Sequence, residues 1–153
     1  MRYHYLEFKM IQRIQSLYLF IAAVTSGGLT LLVNFWTLEN SKTVGIIDTL
    51  YDEHFLIKSI GISFFVSSLL SVISLFNYKN RKKQFVIGRI NILINFYLLG
   101  VLITQSLKLP GETFISEKGI GVFIPIIVIV FLAMANKAIK KDEDLVKSVD
   151  RLR

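Results

Sequence analysis

Four long runs without a charged side chain divide this sequence, and they leave few folds open to it. Ile14 to Leu38, Ser59 to Tyr78, Ile90 to Leu107 and Gly119 to Asn136 contain no Asp, Glu, Lys, Arg or His. The first run alone holds twenty-five residues. At ~1.5 Å rise per residue, a helix of that length reaches roughly 37 Å, enough to cross a ~30 Å hydrocarbon core with some tilt. The expected fold class is therefore all-α: an integral membrane four-helix bundle with a cytoplasmic C-terminal helical extension. Its spans fall at about 14–38, 59–78, 90–107 and 119–136, and 137–153 forms a charged helical tail. The runs and their flanks use nearly all of the 153 residues, so a single membrane domain is expected.

Composition narrows the function classes. A soluble domain of this length would carry more charge than 19%. The net charge of +7 invites a nucleic-acid reading. The placement of the bases argues against it, because they flank apolar spans, where they meet anionic lipid headgroups. The lipid bilayer is thus the first partner and no nucleic acid is expected. With no Cys, the chain has no disulfide, thiolate metal site or lipoprotein anchor. Arg13 and Ala22-Ala23-Val24 resemble parts of a signal peptide, but the first run continues far beyond a ~7–15 residue apolar core, so a retained span is expected.

Charge also sets an orientation. The N-terminal segment, the 79–89 loop and the tail carry 14 of the 18 Lys and Arg residues. The two alternate connections carry the remaining 4. The positive-inside rule then puts both termini in the cytoplasm. Met10 offers a second start, and residues 1–9 read as a short mobile extension whether or not they are counted.

Within the spans, four patterns stand out. Tyr18 and Trp36 (beside Phe35) sit near opposite ends of the first run, where amphipathic rings favour the headgroup level, so they are expected as interface anchors. Thr25-Ser26-Gly27-Gly28 lies mid-span and reads as a close helix contact, with a hinge as the sharper alternative. Ser59, Ser63, Ser67, Ser71 and Ser74 recur at spacings that put them on one helical face. Gly88, Asn91 and Asn95 share a face of the third span. Carboxamides in hydrocarbon must find partners, and the serine stripe is the obvious one. Ser63, Ser67, Ser71, Asn91 and Asn95 are therefore candidates for helix packing or, alternatively, for a polar path between the helices.

The connections carry less. Glu39 to Lys58 is the longest; Thr43 to Ile47 suits a short strand or a segment lying against the bilayer, and Asp52-Glu53-His54 reads as a solvated turn, not a metal site. Pro110-Gly111 marks a turn, and Pro125 is harmless if it falls in a helix's first turn. The tail combines an apolar stripe with opposite charges at i, i+4, such as Glu143 with Lys147. Mixed charge suits a protein surface better than anionic lipid, so Leu145, Val149, Arg151 and Leu152 are candidates for partner docking.

No span holds an ionisable residue, and the chain lacks paired carboxylates, a phosphate loop and clustered His. Neither an enzyme nor a cofactor is expected. The leading functional expectation is a non-enzymatic scaffold or accessory subunit, with a membrane-protein partner or a homo-oligomer. A small transporter or channel component is the alternative, and an enzyme acting on a lipid headgroup through loop carboxylates comes third.

Two segments carry a resemblance: Met10-Ile-Gln-Arg-Ile-Gln-Ser-Leu-Tyr-Leu19, and Ala135-Asn-Lys-Ala-Ile-Lys-Lys-Asp-Glu-Asp-Leu-Val-Lys-Ser-Val-Asp-Arg-Leu-Arg153. They resemble the terminal signatures of a Bacteroidota family of small membrane proteins, domain of unknown function 4293. The resemblance runs from Met10 to the end, strongest at the termini. It implies a four-span protein of the bacterial inner membrane and brings no catalytic residues with it.

Overall fold

The computed structural model describes residues 14–37, 43–108 and 119–151, with the backbone alone for 149–151. Among the described residues, four helices are long and apolar enough to cross a membrane. They are numbered here with the short helix between the first two: α1 (Ile14–Leu32), α2 (Ile46–Tyr51), α3 (Phe55–Phe76), α4 (Arg81–Lys108) and α5 (Ile124–Arg151). A 3-10 turn, Ile120–Phe123, leads into α5 and leaves Pro125 in its first turn, where the missing N–H costs nothing.

The core is Leu19, Ala22, Phe64, Leu98, Leu102, Val128 and Leu132, all fully buried among these helices. The outward faces are as apolar as the core. Leu31, Phe65 and Leu93 are each more than 60% exposed. A bundle in water would cover this surface with charge, whereas lipid accepts it.

The first span is shorter than expected. α1 stops at Leu32, and Val33 turns extended, with φ −119° and ψ 142°. Trp36–Thr37 (β1) then pairs antiparallel with Thr43–Val44 (β2), in the register Trp36 to Val44. Trp36 is therefore not a headgroup anchor at the tip of a helix. It is 5% exposed, because the chain folds back and lays Phe35 and Trp36 over the end of the bundle. Phe35 stacks on Phe64 with centroids 5.5 Å apart. The N–H groups of Gly119 and Gly121 donate to the carbonyls of Phe35 and Asn34 at 2.9 and 3.1 Å, so backbone bonds close this end. The segment expected as a strand or a bilayer-lying stretch divides: Thr43–Val44 is strand, and Ile46 starts α2.

The opposite end departs the other way. The basic 79–89 segment is not a loop but mostly helix. Asn80 accepts the N–H of Lys83 through Oδ1 at 3.2 Å, and α4 begins at Arg81. Only a tight turn after Phe76 separates it from α3. α5 runs unbroken from the apolar span into the charged tail.

Candidate functional site

One face of α4 organises the bundle interior. Arg81, Gln84, Gly88, Asn91, Asn95, Leu98 and Leu102 follow each other at alternating spacings of three and four, which holds them on one side of a helix. All but Arg81 are buried. The half nearer the basic end is polar and the other half is aliphatic.

In the middle of this face, four of the five expected packing residues meet. Asn91 donates through Nδ2 to the Ser67 carbonyl at 3.0 Å and to Ser71 Oγ at 2.8 Å. Asn95 donates through Nδ2 to Ser67 Oγ at 2.8 Å and back to the Asn91 carbonyl at 2.9 Å. All four side chains are fully buried. Ser63, one turn away, is half-buried and outside this group. The stripe continues on both sides of it. Ser59 Oγ lies 2.9 Å from the Tyr97 hydroxyl, and Ser74 Oγ donates to the Gln84 carbonyl at 3.4 Å. Interhelical bonds of this kind contribute only ~0.6 kcal/mol each in lipid, so their value is as much in fixing register as in strength.

The serine beside the stripe joins α3 to α1. Ser68 Oγ donates to the Ala23 carbonyl at 3.2 Å, and a Cβ on Gly27 would lie 2.5 Å from that same hydroxyl. Glycine is what permits the approach. Thr25, Ser26 and Thr30 bond back to the carbonyls of Ile21, Ala22 and Ser26 at 2.7 to 2.8 Å. These three back-bonds accompany a π-turn at Thr25–Leu29. The Thr25–Gly28 stretch is thus a contact surface in this structure.

Toward the basic end the seam changes character. Gly88 on α4 faces the Asn136 side chain on α5, and a Cβ there would collide with its carboxamide. Gln15 and Gln84 are fully buried, and among the described residues neither amide group finds a hydrogen-bond partner; Asn136 Oδ1 is likewise unmatched there. The seam ends at an ion pair, Arg81 Nε to Asp142 Oδ2 at 2.8 Å, in which the aspartate side chain is 0% exposed and the arginine 23%. Charge, the proximity of the pair and burial together tie the start of α4 to the tail of α5.

Sequence reasoning missed Gln15, Gln84, Arg81, Asn136 and Asp142. The signal for two of them was present: the Gly88–Asn91–Asn95 face extends backward in the same spacing to Gln84 and Arg81. Of the other candidates, Tyr18 is half-buried and packs on Phe131 with centroids 6.3 Å apart. Leu145 is half-buried on the α5 tail. Val149 and Arg151 continue that helix, their side chains outside the description, and Leu152 lies outside the described residues.

The architecture is that of a multi-pass membrane bundle zipped along a buried seam that is polar at one end and apolar at the other. The chain matches the family described as Domain of unknown function (DUF4293) over residues 11–152, and it belongs to that family. No curated protein and no solved structure matches it.

Proposed function

We propose that this protein is a non-enzymatic scaffold or accessory subunit of a membrane complex, in a bacterial inner membrane with both termini cytoplasmic. The observation that carries the reading is the use made of the seam's polar groups. Asn91, Asn95, Ser67 and Ser71 bond one helix to the next, and beyond them Leu98, Leu102 and Phe64 fill the interior with apolar side chains. An interior of this kind holds helices in register, which supports a packing role over a polar path. The charged tail of α5 projects past the apolar span and is the segment that would meet a soluble or membrane-bound partner.

The test is affinity purification in mild detergent of the full chain and of a chain lacking Leu145 to Arg153. A stoichiometric partner that accompanies only the full chain supports the reading. An unchanged set of co-purifying proteins removes the tail from it, and a purely monomeric preparation refutes it.

A second reading, a small transporter or channel component, draws on the unpartnered amides of Gln15 and Gln84, which extend the polar line toward the basic end. The two readings differ in what they require of the apolar half. A cysteine at Leu102 that reacts with a small water-soluble thiol reagent in membranes would favour the second, and an inert one the first.

A further inference from the structure

At the basic end, the turn between α3 and α4 and the tail of α5 enclose a cleft of about 430 Å³. Lys79, Arg81, Lys82 and Lys147 line it, against a single acid, Glu143. Two of these bases already have carboxylate partners: Arg81 is held by Asp142 at 2.8 Å, and Lys147 by Glu143 at 2.9 Å. Lys79 and Lys82, both exposed, supply the surplus positive charge. The first turn of the 28-residue α4 opens at the same place, adding the positive end of its dipole.

A second hollow adjoins the first. Lys82 also lines a groove of about 360 Å³ along α4, shared with Lys83, Val86 and Ile87. Its exposed lining is apolar, and Val86 is 53% exposed. One lysine thus stands between a cationic cleft and an apolar hollow on the first two turns of α4. This combination fits an amphiphile better than a free anion, which has no use for the apolar hollow, or a peptide acid, which would not need it.

We propose that the cleft is a binding site for the phosphate of an anionic phospholipid, with Lys79 and Lys82 as its main ligands and an acyl chain lying along Val86 and Ile87. The site goes beyond the accessory-subunit reading and does not depend on it, because it can be tested on the purified chain alone. The lipid would bridge the α3–α4 turn to the α5 tail, beside the ion pair that already joins α4 to α5, Arg81 to Asp142.

The experiment is thermal unfolding of the full chain in a neutral detergent, titrated separately with phosphatidylglycerol, phosphatidylcholine and glycerol phosphate. Phosphatidylglycerol alone should raise the midpoint, and saturably. Neutralising both lysines, Lys79→Gln with Lys82→Gln, should weaken the apparent affinity about thirtyfold, roughly fivefold for each base near an anionic headgroup. The charge-keeping pair Lys79→Arg with Lys82→Arg should retain binding, and Lys58→Gln, at the far end of α3, should change nothing. An equal effect of phosphatidylcholine would mean that the headgroup is not read. An equal effect of glycerol phosphate would make this an anion site with no lipid role. Unaltered binding by the neutralised pair, or no response to phosphatidylglycerol in the wild-type chain, would each overturn the proposal.

Discussion

Replacing Asn91 with Leu isolates what the polar seam contributes, because the two side chains share the same number and branching of heavy atoms while only one of them can form hydrogen bonds. The substitution removes two bonds between helices, from Asn91 Nδ2 to the Ser67 carbonyl and to Ser71 Oγ. It also removes the acceptor that Asn91 Oδ1 offers to Asn95 at 3.2 Å. The partners are not left stranded. Ser71 Oγ still donates to the Ser67 carbonyl at 3.0 Å, and Asn95 keeps Ser67 Oγ and the Asn91 backbone carbonyl. The orphaning penalty that usually dominates such mutations is therefore small here. Two interhelical bonds at ~0.6 kcal/mol each give a loss of about 1 kcal/mol, partly offset by the added apolar contact.

A loss so small is read best through coupling. In a double-mutant cycle of Asn91→Leu with Ser71→Ala, followed by equilibrium unfolding in mixed micelles, the interaction term should fall between about 0.5 and 1.7 kcal/mol. Two substitutions that add within ~0.3 kcal/mol would mean that the bond is absent in the folded protein. A marked gain of stability in Asn91→Leu alone would mean that the asparagine is kept for something other than packing, and would turn attention to the polar-path reading.

The ion pair at the seam's end makes an asymmetric prediction: Arg81→Gln leaves a fully buried carboxylate without its cation and should cost about 3 kcal/mol, while Asp142→Asn leaves a partly exposed guanidinium that can extend to water and should cost about 1. Equal losses in thermal stability would show that the two burials are alike. For topology, single cysteines at the exposed positions Thr43 and Asn80 report the two ends: the proposed orientation expects an impermeant thiol reagent on intact cells to label Thr43→Cys and not Asn80→Cys, and the reverse pattern would invert it.

The spans were legible in the sequence because hydrocarbon imposes one requirement on all of them, a long run without charge. Their ends were not, because charge marks where lipid stops and not where a helix does. Val33 to Trp36 is uncharged, yet it leaves the helix and folds into the core, and only β2 and the Gly119 backbone, both remote in sequence, give it a place to go. Arg81 to Arg89 is strongly basic, yet it is helical, since the Asn80 cap starts the ladder before the membrane does. The serine and asparagine stripes were visible as helical periods, and antiparallel packing of α3 on α4 brings them together. The burial of Asp142 was hidden by its setting. Among Lys140, Lys141, Glu143 and Asp144 it looks like one more solvated charge, and only the neighbouring start of α4 encloses it.

The two ends of the bundle are closed by different means, and the difference bears on where function would lie. At the hairpin end, the strand pair, two backbone bonds from Gly119 and Gly121, and the stacked rings of Phe35 and Phe64 leave little to rearrange. At the basic end, the closure rests on an ion pair and on carboxamides that lack partners among the described residues: Gln15, Gln84 and one oxygen of Asn136. Buried amides without bonds are costly. These groups lie in the half of the seam that leads to the cationic cleft and the charged tail. A lipid phosphate in the cleft, or a protein on the tail, would act on the same α4–α5 contact, the one that Arg81 and Asp142 hold.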